Sequence, residues 1–209
     1  MLMSNKAVKK ILIKTTYDMI GDQGITNVTI RKVAAKTGYS SAALYRHFEN
    51  FDHLLTYACI GYLEPYVEDF KYFKRLSNNS LEIAIQMWAN IARSSFFTPE
   101  IFAQLFIGPY RDQVYQIIKD YYYIFDMDVF NVGEVSQLML QMGELFFENK
   151  NYIKHSSTKY TEEQIKILSD LTVYTYCGML GTLMKKEYKV AEIEKMVDSF
   201  QASLKYLYS

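Results

Sequence analysis

Apolar residues recur along this chain at steps of three and four almost from its start, the spacing that gathers them on one face of an α-helix. Residues 5–21 show it first: Val8, Ile11, Leu12, Thr15, Met19 and Ile20 share one side and lysines take the other. Gly21 and Gly24 are expected to end that helix. Thr29 is suited to cap a second, Ile30–Thr37, with Ile30, Val33 and Ala34 turned inward. Gly38 stops it, and Ser40 caps a third over Ser41–His47. A fourth begins at Asn50 or Asp52 and runs to about residue 70, with a kink or break at Pro65, whose ring removes a helical hydrogen bond.

The helical period persists beyond residue 70. It predicts helices over 81–97, from Pro99, from Pro109 to about Phe125, and over 132–148, 161–186 and 191–208. Thr98-Pro99-Glu100 places a cap, a proline and an acid where a helix start wants them. Thr161 and Gln164 match a capping box. Residues 149–160 are the most polar stretch and read as a long loop. No segment has the period of two of a strand, and three prolines and nine glycines are few for a chain of turn-linked strands. The fold class is therefore all-α, with about nine or ten helices. A composition shift near residue 50 divides it into a three-helix domain over 1–50 and a larger helical domain over 51–209.

Charge sharpens that division. The 209 residues hold 23 Lys+Arg and 23 Asp+Glu, a net charge of zero. Residues 1–48 nevertheless hold eight basic and two acidic residues, leaving 15 basic and 21 acidic for the rest. A head with an excess of six positive charges suggests a polyanion as partner. Half the residues are apolar, enough for a sizeable core. Cys59 and Cys177 lack the spacing of a disulfide framework or a zinc site, so two reduced thiols in a cytoplasmic protein are expected, with no metal and no cofactor. The longest uncharged run, Leu171–Met184, is 14 residues with three threonines, too short and polar to span a bilayer.

Residues 29–47 have helix-turn-helix form, in which the second helix enters the major groove of DNA and offers side chains to base edges. Its exposed positions would be Ser41, Ala42, Tyr45 and Arg46, over a small core of Val33, Ala34, Leu44 and Phe48. The capped helix starts at Thr29 and Ser40 can hold phosphates with backbone N–H groups.

The run Thr29-Ile30-Arg31-Lys32-Val33-Ala34, Gly38-Tyr39-Ser40 and Leu44-Tyr45-Arg46-His47-Phe48, followed by Leu54-Leu55, resembles the DNA-binding domain of the TetR (tetracycline-repressor) family of bacterial transcriptional regulators. The resemblance covers roughly residues 8–56. It implies a phosphate contact at Thr29, a base or phosphate contact at Arg31, base-facing positions at Ser41, Ala42 and Ala43, and a backbone clamp from Tyr45 and His47. Arg46 stands where some members read a base. Phe51 stands where members often carry a phosphate-binding lysine, so more of the grip would fall on Arg46 and Lys32.

The larger domain is rich in aromatic residues and methionine, suited to an apolar pocket. The resemblance implies a small-molecule effector site there, of unidentified ligand. Candidates to line it are Trp88, Phe102, Phe106, Tyr110 and Tyr122, with Met139, Met142, Phe146, Tyr174 and Cys177. It also implies a homodimer through residues of about 132–148 and 161–186, bound to a pseudo-palindromic operator in double-stranded DNA. The expected function is a ligand-responsive regulator, a repressor released from its operator by a small, largely apolar effector. The alternatives are a regulator of the same fold without a small-molecule effector and, remotely, a helical enzyme. Against the enzyme stands the lack of any catalytic or phosphate-binding motif.

Overall fold

The computed structural model of the chain describes residues 4–63, 80–126, 153 and 159–209. Among the described residues there are α-helices and short 3-10 turns, and no strand. The α-helices are α1 (Asn5–Gln23), α2 (Ile30–Thr37), α3 (Ser41–Leu44), α4 (Phe51–Ile60), α5 (Ser80–Phe97), α6 (Pro99–Phe106), α7 (Val114–Ile124), α8 (Glu162–Leu183) and α9 (Val190–Leu207). The expected helix over 132–148, the kink at Pro65, and with them Met139, Met142 and Phe146, lie outside the described residues.

Two compact units form. The first joins the described residues of 1–64 to those of 104–140, and the second joins those of 65–103 to those of 141–209. In the first, α1 turns Val8, Leu12, Ile13, Thr16, Met19 and Ile20 inward. That face packs on α4, which is buried from Leu54 to Ile60. Each of these large aliphatic side chains stabilises by about 1.5–3 kcal/mol through burial. Thr16 enters this core at little cost because its hydroxyl donates to the Leu12 carbonyl at 2.8 Å. Helix α7 covers another side of α4 with Val114, Ile117, Ile118, Tyr121 and Tyr122.

Helix α1 runs past Gly21 and ends at Gly24, whose φ of 78° is open to a residue without a Cβ. The segment from Pro109 starts later than its proline suggests: a 3-10 turn over Arg111–Gln113 precedes α7.

The second unit is built on α5, α8 and α9. Trp88, Phe96, Tyr176 and Phe200 interlock there, with ring centroids 5.6–6.3 Å apart. These separations suit tilted and edge-on aromatic contacts. The capping box at the start of α8 is present as expected, Thr161 accepting from the Gln164 N–H and Gln164 accepting from the Thr161 N–H. Arg93 of α5 pairs with Glu194 of α9 at 2.5 Å.

Candidate nucleic-acid interface

The turn between α2 and α3 is dictated locally. Thr29 Oγ1 accepts from the Lys32 N–H at 3.3 Å, and Ser40 Oγ accepts from the Ala43 N–H at 3.1 Å. Each cap satisfies one of the N–H groups that a helix start leaves without an internal partner. Between them Gly38 takes the left-handed conformation, φ 74° and ψ 7°, which most L-residues adopt only with strain. Helix α3 is shorter than its apolar period suggests. It ends at Leu44, and the chain continues to Phe48 through hydrogen-bonded turns, with the N–H groups of His47 and Phe48 both donating to the Leu44 carbonyl.

Val33, Ala34, Leu44 and Phe48 form the buried underside of this motif. On its other side Thr29, Arg31, Lys32, Ser40, Ala42 and Arg46 are exposed, and Ser41 is half-buried. Tyr45 is 53 % exposed, a large aromatic held in solvent one position after buried Leu44. Ala43, expected with Ser41 and Ala42 to face bases, is only 9 % exposed. Its methyl turns inward and its N–H is held by the Ser40 cap. His47 is half-buried, and its Nδ1–H donates to Asn5 Oδ1 at 2.7 Å. Burial first, then the neighbouring charges of Lys9 and Arg46, lower its pKa.

The basic excess of the head is partly engaged within the protein. Lys6 and Lys10 both bind the Asp126 carboxylate just past α7, while their ammonium groups lie 4.4 Å from the Tyr123 ring centroid and 5.5 Å from that of Phe125. Lys14 pairs with Asp18 at 3.0 Å and Lys36 with Asp22 at 3.6 Å. Lys9 Nζ lies over the adjoining rings of Phe48 and Tyr57, 5.7 and 5.8 Å from their centroids. Lys32 Nζ donates to the Asn27 carbonyl at 2.7 Å. Arg31 and Arg46 remain exposed and carry no ion pair among the described residues.

A polar and aromatic cluster fixes the passage from α3 and the turns after it into α4. Asn50 Oδ1 caps α4 by accepting from the His53 N–H at 2.9 Å, and its Nδ2 donates to the Tyr110 hydroxyl at 2.8 Å. That hydroxyl donates to Glu49 Oε2 at 2.9 Å. The Tyr110 ring stacks on His53, centroids 4.6 Å apart and planes 13° from parallel. The Glu49 N–H donates to His53 Nδ1 at 3.2 Å. Gln104 Nε2 donates to the Asp52 carbonyl and to Thr56 Oγ1, at 3.2 and 3.1 Å. Neither Asn5, Asp126 nor this cluster is marked by any short-range sequence signal beyond the capping character of Asn50.

The residues expected to line an effector pocket divide between the units. Phe106, Tyr110 and Tyr122 belong to the first, Trp88, Phe102, Tyr174 and Cys177 to the second. Trp88, Phe102, Phe106, Tyr110 and Tyr122 are buried and Cys177 is half-buried, but Tyr174 is 69 % exposed. Among the described residues, no group of three or more His, Cys, Asp or Glu is placed to hold a metal ion. No described helix is long and apolar enough to cross a membrane.

Residues 12–58, the span of this motif and the helices that brace it, match the family model described as bacterial regulatory proteins, tetR family. No curated protein sequence matches the chain. Among solved structures it is similar to RolR in complex with resorcinol, at a TM-score of 0.59 and 11 % identity over 98 % of this chain and 94 % of that one. It is also similar to Thermus thermophilus FadR, a TetR-family transcriptional repressor, in complex with lauroyl-CoA, at a TM-score of 0.51 and 9 % identity over 94 % of this chain and 92 % of that one. At such identities the likeness carries the fold.

Proposed function

We propose that the chain, whose residues 12–58 match the model of the tetR family of bacterial regulatory proteins, is a homodimeric repressor released from its operator by a small, largely apolar effector. One observation carries the DNA-binding part: a capped helix-turn-helix whose outer side presents Arg31, Ala42, Tyr45 and Arg46 to solvent while its inner side is closed by Leu44 and Phe48. Arg46 is suited to a base edge, and Tyr45 and the helix starts at Thr29 and Ser40 to phosphate. Ser41 and Ala42 offer small surfaces over which bases can approach closely.

One short recognition helix offers few base contacts, so two are expected, related by a twofold axis and spaced at about one helical turn of DNA, ~34–36 Å, or a multiple of it. A stripe on α8 supports the pairing. Ile167, Leu171 and Tyr174 are exposed at steps of four and three, and Gly178, four residues on, has open space where a Cβ would stand. An apolar stripe with a glycine lets a second helix approach. The other stretch expected to take part, 132–148, lies outside the described residues.

The bound resorcinol and lauroyl-CoA of the two similar structures support a small-molecule effector, held within residues 51–209 and shifting α4. The effector must prefer the geometry that does not bind DNA. A coupling of about 1–3 kcal/mol corresponds to about 5–150-fold in operator affinity. The close packing of Trp88, Phe96, Tyr176 and Phe200 favours a second reading, a regulator of the same fold whose second unit is filled by its own side chains.

The test is selection of duplexes from the DNA flanking the gene itself, repeated against a panel of small aromatic and acyl metabolites. Sequence-selective binding lost with one metabolite supports the proposal. Selective binding that every metabolite leaves unchanged supports the second reading. No selective binding overturns both.

A further inference from the structure

We infer that Tyr110 is a positioning residue for DNA recognition: its hydroxyl fixes Glu49 and Asn50, the link between the recognition segment and α4, and so sets how Tyr45 and Arg46 are presented. This rests on the DNA-binding reading above. It gives Tyr110 a task other than lining an effector pocket.

The link is short, polar and exposed, so its own burial does little to hold it. Tyr110 by contrast is 4 % exposed. It reaches the link from the segment that follows α6, accepts from Asn50 and donates to Glu49. A phenolic hydroxyl used once as acceptor and once as donor, between two adjacent residues, fixes their rotation as well as their distance. The stacked His53 keeps the ring from turning away. Gln104, from the end of α6, grips the first turn of α4 beside it. On the other side of the recognition segment, Asn5 holds His47. The segment is thus tied at its end from two directions, and of these two ties the Tyr110 one comes from a residue far along the chain.

Small rotations of a recognition helix misplace base contacts, which are directional, while the attraction of cations to phosphate is tolerant of them. Loss of the Tyr110 hydroxyl should therefore lower selectivity rather than general DNA affinity. The experiment uses the full chain and two probes, a duplex enriched by the wild type from a random-sequence library and a scrambled duplex of equal length and composition. Tyr110→Phe keeps the ring and its stacking but removes both bonds. Glu49→Ala removes one bond, and Glu49→Gln makes the same charge change while keeping an acceptor for the hydroxyl.

Tyr110→Phe is expected to lower the selected-to-scrambled affinity ratio about 5–20-fold, with scrambled-duplex affinity unchanged and thermal midpoint nearly so. Glu49→Ala should lower the ratio in the same direction relative to Glu49→Gln, which should stay near wild type. Because Glu49 is exposed, that pair decides the matter even where Tyr110→Phe impairs folding. An unchanged ratio in Tyr110→Phe, or equal ratios in Glu49→Ala and Glu49→Gln, overturns the inference alone. Failure of the wild type to enrich any duplex overturns the DNA-binding reading and this inference with it.

Discussion

His53 meets the Glu49 N–H on Nδ1, the stacked Tyr110 ring, and the rings of Phe48 and Tyr57, with centroids 5.9 and 5.1 Å away. Its Nδ1 accepts a hydrogen bond, so a proton there would displace Glu49. Burial lowers its pKa below the usual 6.5, with the carboxylates of Glu49 and Asp120 opposing and Lys9 assisting. His47 is lowered in the same direction. A histidine with a depressed folded pKa is neutral in both states above about pH 7. As pH falls through 6.5 the unfolded chain takes the proton first, so stability declines from there down to the folded pKa. Denaturant titrations between pH 7.5 and 5 should show this decline, and His53→Gln should flatten part of it. A slope as steep in His53→Gln as in wild type would assign the decline elsewhere. Among the outward residues, Arg46→Ala and Tyr45→Phe should each weaken binding to a selected duplex by about 1 kcal/mol or more, Arg46→Ala with relaxed base preference.

The elements show what a single sequence makes legible. Thr29, Ser40, Asn50 and Thr161 each cap the helix that follows, because a cap is settled by a hydroxyl or amide and an N–H three residues on. Thr161→Ala should therefore cost about 1 kcal/mol in denaturant unfolding. Gly38→Ala should also destabilise, since its φ of 74° strains any residue with a Cβ. The end of α3 was less legible: Leu44 and Phe48 keep a helical spacing, yet the backbone between them continues as turns. Ala43 shows the same limit, for an alanine beside a cap serves core and surface equally well in sequence. Periodicity also marks an apolar face without saying what covers it. In the uncharged run from Leu171, the Tyr176 ring meets Trp88 and Phe200, whereas Leu171 is 41 % exposed. Leu171→Glu is accordingly expected to convert the proposed dimer to monomer in sedimentation, with helicity by circular dichroism retained. A persistent dimer would move the interface off this stripe.

Across the whole molecule, partners distant in sequence alter what composition suggests. The positive excess of the head is what the proposed reading turns toward DNA, but it overstates the cations available to it. Asp126 holds Lys6 and Lys10, Asp18 holds Lys14 and Asp22 holds Lys36. With Lys9 over the Phe48 and Tyr57 rings, Arg31, Lys32 and Arg46 are the exposed cations of the head without a carboxylate partner among the described residues, so the slope of log affinity against log salt should be no steeper than about −5 for a dimer, roughly 0.9 per phosphate, rather than near −11 for the full excess. Asp126→Asn should steepen it. An unchanged slope would keep Lys6 and Lys10 away from DNA in either state. No local pattern could announce this, since a lysine on an amphipathic helix looks the same whether it faces water, phosphate or a carboxylate far along the chain. The same Asp126 and Tyr110 bonds set a timetable for biosynthesis. The N-terminal helices leave the ribosome first, yet their last fastenings belong to residues 110 and 126. At about 5–20 residues per second the roughly sixty residues after Leu63 take roughly 3–12 s to appear. Until then the nascent head exists without these ties, and in the proposed reading a chain interrupted in that interval would attract nucleic acid by charge before it could choose among sequences.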